Sequence, residues 1–308
     1  MRIINLSLDK ENTVKIPLVA CIGYFDGMHL GHQALIKETI DLANHYQCAS
    51  ALITFDKDPL EVINDTNEVN HITQFRQRVN RAVSFGIQNI VILHFTKEMA
   101  TMPPKEFITK ILAQLDLKAL VCGFDFHYGD KGAGDYESLK RDCEYPVIVV
   151  DAVCDEEGKI SSTRIRSEIE NGNMSKAYKM MDYPFAIEGK VFSGNHVGTG
   201  LGYPTANVEI DKEYIIPKLG VYAAYVIVDG RRYPAMLNIG HNPTINYSKN
   251  VSLEAFLLDY QGDLYGKFVT VEFMKFIREE RDFHNRSNLV LQLEQDAKNV
   301  RQILREIA

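Results

Sequence analysis

Five short apolar runs alternate with helical patterns over the first 150 residues, and the alternation stops near residue 184. The runs are LVACIG (18–23), SALITF (50–55), NIVILHF (89–95), KALVCG (118–123) and PVIVVDAV (146–153). They are short and mainly apolar, and three are rich in Val and Ile, so each is expected to be a strand buried on both faces, as in a parallel sheet. Between them lie HQALIKETIDLANHY (32–46), QFRQRVNRAVSF (74–85) and PPKEFITKILAQL (103–115). Gly86 is placed to stop the second helix, and Pro103-Pro104 to start the third. Strands alternating with helices imply a doubly wound α/β domain, which binds ligands at the carboxyl ends of its strands. Two more helical stretches, 162–171 and 173–181, close this half.

After Asp182-Tyr183-Pro184 the reading changes to strands at 185–192, 221–228, 231–238, 251–258 and 268–276. Asp229-Gly230 and Gly262-Asp263 supply turns. A small antiparallel β-barrel is expected. A final amphipathic helix near 287–306 carries Leu289, Leu293, Ala297, Val300 and Ile303 at helical spacing. The expected domains are therefore 1–183 and 184–308, a division that 308 residues accommodate well.

The net charge of −7 disfavours broad binding to nucleic acid, whose affinity comes mainly from neutralised phosphates. It leaves room for a local phosphate site. No run of about 18 apolar residues is present, so no membrane span is expected. The segment MRIINLSLDKEN has no signal-peptide features. Cys21, Cys48, Cys122, Cys143 and Cys154 are odd in number and form no CxxC, which reads as reduced core thiols in a cytoplasmic protein. Oligomeric state is not legible.

The most informative segment is Gly23-Tyr24-Phe25-Asp26-Gly27-Met28-His29-Leu30-Gly31-His32. It follows the first strong strand and opens the first long helix, where backbone N–H groups and the helix dipole favour an anion. His29 and His32, three apart, can both face a phosphate, with Gly31 allowing close approach. This suits attack on the α-phosphate of a nucleotide, with the imidazoles donating to oxygens that gain charge. A solvent-facing histidine pair, or half of a metal site, is the plainer alternative.

Ser161-Ser162-Thr163-Arg164-Ile165-Arg166 opens another helix. Capping explains one hydroxyl, but two arginines in a first turn oppose the dipole unless an anion is bound. A basic surface helix start is the bland reading.

In the second half, Gly194-Asn195-His196-Val197-Gly198-Thr199-Gly200-Leu201-Gly202-Tyr203-Pro204 is a glycine-rich loop able to lie against phosphates. A simple hairpin also accounts for it. Thr205 and Asn207 follow on a strand and share one side, a donor set suited to Mg²⁺ and its nucleotide. Glu254 begins an apolar run and is placed to take a proton from a substrate hydroxyl, unless it is merely a strand-end acid in solvent. His45, His71 and His94 lack partners at ligand spacing and read as structural, and Asp155-Glu156-Glu157 as a solvated turn.

GYFDGMHLGHQ, GFDFHYG and ISSTRIR, in this order and spacing, resemble the adenylyltransferase module of the bacterial bifunctional riboflavin kinase/FAD synthetases. The glycine-rich segment, with GVYAAYV, NIGHNPT, DLYGK and FIREERDF, resembles the riboflavin kinase module of the same family. The resemblance implies an HxGH-type nucleotidyltransferase domain of Rossmann-like α/β fold, followed by a small antiparallel barrel with a terminal helix. It implies riboflavin, FMN, FAD and ATP as ligands, with Mg²⁺ as the ion. His29, His32 and Arg164 are implied as catalytic in the first module. Gly23, Phe25, Asp26, Gly31, Ser162, Thr163 and Arg166 are implied at the nucleotide, and Asp125 and Phe126 at the flavin. In the second module it implies Gly200, Gly202, Tyr203, Pro204, Thr205 and Asn207 at Mg-ATP, Glu254 as general base, and Arg278 and Phe283 near the flavin. The alternating Phe124, Phe126 and Tyr128 offer a stacking platform, though core packing is the commoner use of such a stripe.

The chain departs from the family pattern at five positions. Asp58 stands where a His is common, His127 and Gly132 where Arg is common, Thr199 where the kinase loop often has Arg, and Asn242 where NIGxRPT has Arg. Loss of positive charge at the first three implies a slower adenylyltransferase. Three other readings remain at this level: a riboflavin kinase alone, a non-catalytic flavin-binding regulator, and a nucleotidyltransferase for another phosphate acceptor.

Overall fold

Six parallel strands build the first half in the order β1-β4-β3-β2-β5-β6. They are β1 (Arg2–Leu6), β2 (Val14–Ile22), β3 (Ala49–Phe55), β4 (Asn89–Leu93), β5 (Leu115–Gly123) and β6 (Val147–Val150). Leu18–Ile22 of β2 are buried to a residue, as expected of a strand covered on both faces. The helices are α1 (Leu30–His45), α2 (Pro59–Asn64), α3 (Phe75–Ser84), α4 (Lys97–Ala100), α5 (Pro104–Lys110) and α6 (Tyr136–Asp142). Strand order runs outward from β2 through β3 on one side and through β5 on the other. The crevice between the carboxyl ends of β2 and β5 is therefore a topological switch point, where such sheets bind ligands.

The computed structural model describes residues 1–8, 14–66, 70–192, 205–241, 251–281, 283 and 286–307. Two structural units divide the chain, Met1–Ser162 and Thr163–Ala308. The first ends on a two-residue hairpin, β7 (Cys154–Asp155) with β8 (Gly158–Lys159), whose exposed tip is the acidic turn expected there. Cys154 on this hairpin is exposed, so the reading of all five cysteines as core thiols is too broad; Cys21 and Cys122 are buried, and all five are free.

The second unit takes α7 (Ser162–Glu170) from its second residue on, and then α8 (Met174–Met181). A closed antiparallel barrel follows in the order β10-β13-β12-β11-β14-β9. Its strands are β9 (Ala186–Phe192), β10 (Thr205–Val208), β11 (Gly220–Val228), β12 (Arg231–His241), β13 (Val251–Leu257) and β14 (Phe268–Arg278). Helix α9 (Arg286–Ile307) lays Leu293, Ala297, Val300 and Leu304 against Met236, Phe256 and Met274 of the barrel. Asp296, 1% exposed, anchors α9 through both Nε and Nη2 of Arg278, at 3.0 and 2.7 Å. No helix among the described residues is long and apolar enough to cross a membrane.

The structure differs from the sequence reading at the first sheet's edge and in its short helices. The stretch 103–115 is not one helix: α5 gives way to a 3₁₀ turn at Leu112–Gln114, and Leu115 already belongs to β5. Leu115 and Leu117 are buried with the sheet, and that packing outweighs their helical propensity.

Candidate active sites

The turn from β2 into α1 has an unusual backbone. Phe25, Gly27 and Met28 have φ of 62°, 73° and 33°, and the first and last are not glycine. Such a conformation persists only when its surroundings impose it. Asp26 supplies much of that constraint. Its carboxylate accepts from the Ile72 N–H at 3.0 Å, the Thr73 N–H at 3.0 Å and the Thr73 hydroxyl at 3.2 Å. Thr73 Oγ1 in turn accepts from the Gly27 N–H at 2.9 Å. Asp26 is 2% exposed, and what it holds is the chain at 72–73.

His29 is the N-cap of α1. Its Nδ1 accepts from the N–H groups of Gly31 at 3.1 Å and His32 at 3.4 Å. An accepting Nδ1 carries no proton, so the ring is neutral with its proton on Nε2. Burial favours the same form, pushing its pKa down to about 4 against an opposing pull from Asp26. His32 stacks on His29 with centroids 3.7 Å apart and planes 19° apart, and Phe25 meets it edge-on at 5.2 Å. Burial, then the neighbouring His29, then Arg78 and Lys159 hold His32 well below the usual histidine range. Its Nδ1 is buried with no hydrogen-bond partner among the described residues. Two first-turn N–H groups of α1 thus end on His29. The expected close approach at Gly31 has a local cause as well: a Cβ there would lie 3.0 Å from His29 Cε1 and 3.1 Å from Nδ1. Gly31→Ala should displace the ring by a few tenths of an ångström and slow whatever reaction this pair supports about tenfold, since a 1 Å misplacement can cost about a hundredfold. A steady-state rate at unchanged folding, read by circular dichroism, checks this.

These groups open onto a cavity of about 580 Å³ at the switch point. Of the residues expected at ligands, Gly23, Phe25, His29, Gly31, His32, Asp125, Phe126 and Ser162 line it. The rest of its wall is largely apolar, with Phe55, Phe95, Phe107 and Phe124 among aliphatic residues such as Leu35, Leu60 and Ile63. The Ser162 hydroxyl donates to the Asp26 carbonyl at 2.8 Å. Asp125 pairs with Lys159, whose ammonium sits 4.6 Å above the Phe124 ring. Phe126 lies parallel to Tyr128 at 5.9 Å, and Tyr128 is core, with its hydroxyl 3.2 Å from Ser138 Oγ. Of the three alternating aromatics, Phe124 is the exposed one. Lys159, missed by the sequence reading, lies two residues before Ser161 and so close to a segment already singled out. Thr163, Arg164 and Arg166 stand in the first turn of α7, within the second unit.

The departures have local explanations. Asp58 caps α2, accepting from the Leu60 N–H at 2.7 Å, and faces His71 Nδ1 at 3.7 Å. Gly132 has φ +67°, where an arginine would be strained. His127 Nδ1 lies 3.0 Å from the Asp125 carbonyl. His71 and His94 do have partners through space, His94 at 2.5 Å from Asp56.

On the barrel, three neighbouring strands bring Asn207 of β10, Glu254 of β13 and Asn238 of β12 into one row, paired in register. Glu254 is half-buried, and burial followed by the charge of Glu280 pushes its carboxyl above the usual range. Glu280 Oε1 accepts from Asn238 Nδ2 at 3.2 Å. The amide oxygen of Asn207 is a hard donor of the kind Mg²⁺ takes, so this end of the row fits that ion. Gly200, Gly202, Tyr203 and Pro204, with Thr199 and Asn242, lie outside the described residues; the Thr205 backbone opens β10. The Arg278 guanidinium is committed to Asp296, and Phe283 is half-buried beyond β14.

A neutral histidine pair at the switch point of a parallel sheet, with a carboxylate–amide row on a separate closed barrel, is the plan of a two-site enzyme of nucleotide phosphate chemistry. The FAD synthetase family model matches residues 11–164, and the riboflavin kinase family model residues 181–304. A bifunctional riboflavin kinase/FMN adenylyltransferase of Listeria monocytogenes is 34% identical over 286 residues, covering 92% of this chain and 91% of its own. One from Bacillus subtilis is 34% identical over 295 residues, covering 94% and 92%. A crystal structure described as a macrolide-efflux protein from Streptococcus pneumoniae superposes with a TM-score of 0.88 at 31% identity, over 97% of this chain and 99% of its own. That description belongs to the other protein; the fold is what the two share. The chain belongs to the bifunctional riboflavin kinase/FMN adenylyltransferase family.

Proposed function

We propose that this chain makes both flavin cofactors, using ATP twice. Residues 184–308 transfer the γ-phosphoryl group of ATP to riboflavin, giving FMN and ADP. Residues 1–183 join FMN to the AMP portion of a second ATP, giving FAD and pyrophosphate. The observation that carries this reading is that each half holds its own set of groups suited to one of the two reactions.

In adenylyl transfer a phosphate oxygen of FMN attacks the α-phosphorus and the α–β bridging bond breaks. His29 Nε2–H and His32 donate to oxygens that gain charge, as dry, pre-oriented neutral donors do best. Ser162, Thr163, Arg164 and Arg166 hold the triphosphate, Arg164 nearest the chemistry. Gly23, Phe25 and Gly31 shape the nucleotide pocket, and Asp26 acts through the backbone it fastens. Asp125 and Phe126 face the flavin, with Lys159 neutralising Asp125.

In phosphoryl transfer Glu254 takes the proton of the riboflavin hydroxyl as it attacks. Thr205 and Asn207 would hold Mg²⁺, and Gly200, Gly202, Tyr203 and Pro204 would bind the same nucleotide. Bound there, Mg²⁺ supplies neutralisation of phosphate charge. Phe283 packs at the flavin, and Arg278 supports that wall through α9. Free thiols suit a reducing cytoplasm.

The test is incubation with riboflavin and Mg-ATP, followed by chromatographic separation of riboflavin, FMN and FAD. The full chain should yield FAD by way of FMN. A fragment from about residue 183 onward should fold and stop at FMN. A folded fragment that binds no flavin and makes no FMN would remove both the module boundary and the kinase assignment.

A further inference from the structure

Arg78 lies one turn into α3 and is 3% exposed. A charged group this deep is costly unless it is used. Its Nη1 donates to the Tyr24 carbonyl at 2.6 Å, and its guanidinium lies 4.0 Å over the Tyr24 ring and 5.5 Å from that of Phe75. The same carbonyl accepts from the Thr54 hydroxyl at 3.1 Å. Two donors on one oxygen fix the plane of the Tyr24–Phe25 peptide. That plane is one of the references from which φ of Phe25 is measured, the 62° at which the chain enters its left-handed turn. The Phe25 ring set by this angle lies edge-on to His32.

The turn is therefore held by the α3 segment at two separate points. Asp26 grips the backbone at 72–73, ahead of the helix, and Arg78 grips the Tyr24 carbonyl from within it. Arg78 does not line the cavity; Tyr24 and Phe25 do. We propose that Arg78 is a positioning residue for adenylyl transfer, which sets His32 in place through the Tyr24 carbonyl and the Phe25 ring. This rests on the adenylyltransferase reading of the first cavity. Lysine does not replace it, because the flat guanidinium both stacks on Tyr24 and donates in the plane of its fork.

The experiment compares the full-length protein with Arg78→Met and Arg78→Lys, measuring kcat and KM for FAD formation from FMN and ATP, and FMN formation from riboflavin. Arg78→Met should lower kcat for FAD about tenfold or more, as expected for misplaced reacting groups. KM for ATP and FMN should stay within about threefold, because the cavity walls remain, and FMN formation should not change. Arg78→Lys should also lose kcat at unchanged KM. A folded Arg78→Met with kcat near that of the unaltered protein overturns the proposal. So does a fall in kcat matched by a rise in KM together with loss of the thermal unfolding transition of the first unit, which marks a plain core residue. Should Arg78→Met not fold, Arg78→Lys decides: full kcat overturns the proposal, and reduced kcat at constant KM supports it. An unaltered protein that makes no FAD overturns the adenylyltransferase reading itself, and the proposal with it.

Discussion

His29→Ala or His32→Ala should lower FAD formation at least about a hundredfold while leaving FMN formation from riboflavin nearly unchanged. Removing one pre-oriented donor from a developing oxyanion costs about 10²- to 10³-fold. Both rings are neutral in the folded protein, so each can present an N–H without being drained by a counter-ion. The two substitutions should not be equivalent in stability. His29 also caps α1, and loss of a cap costs about 0.5–2 kcal/mol. His32→Ala leaves the cap in place and is the cleaner probe. A folded variant in which both products fall in parallel would defeat the two-site scheme.

Glu254→Gln should reduce FMN formation by about 10²- to 10⁴-fold, the usual contribution of a general base. Gln keeps the shape of Glu but cannot take the proton, so riboflavin and ATP binding should stay close to intact. FAD formation from supplied FMN should persist. The pH profile offers a second check. A base must be ionised to act, and burial and Glu280 raise the Glu254 carboxyl. FMN formation should therefore fall on acidification at a pH above the ordinary carboxylate range, and that limb should vanish in Glu254→Gln. Ordinary kinase activity in the variant would remove Glu254 from the catalytic residues. Loss of flavin binding as well would make it a positioning group.

The central strands were readable because β2 to β5 are apolar on both faces, and that pattern has few other uses. The edge strand β1 was missed because its residues are mostly exposed and carry no such run. The histidine pair was readable because its chemistry sits within four residues. Its mechanism of orientation was only partly so. That His29 folds back onto its own helix, and that Gly31 clears space for the ring, follow from short-range geometry invisible in a one-letter string. The supports of the site were hidden for another reason. Asp26 and Thr73, Tyr24 and Arg78, and Arg278 and Asp296 meet across long stretches of chain, and no periodicity announces such meetings. Asp58 illustrates the limit of pattern matching: a residue that breaks a familiar motif is here the N-cap of a short helix.

The closure of the barrel has a bearing on how the protein is born on the ribosome. Strand β9 finds its neighbours in β10 and in β14, so one of its edges is satisfied only by the last strand of the barrel. The parallel sheet, by contrast, has all six strands once β6 has emerged, before β9 is made. At elongation rates of about 5–20 residues per second, the nascent chain carries that unsatisfied edge for roughly 4–17 s. During that interval the growing protein presents a bare strand edge to its neighbours on the same message, while its first half is already able to fold. The interval ends only when the synthesis of β14 is complete, so the topology itself sets how long that edge waits for its partner.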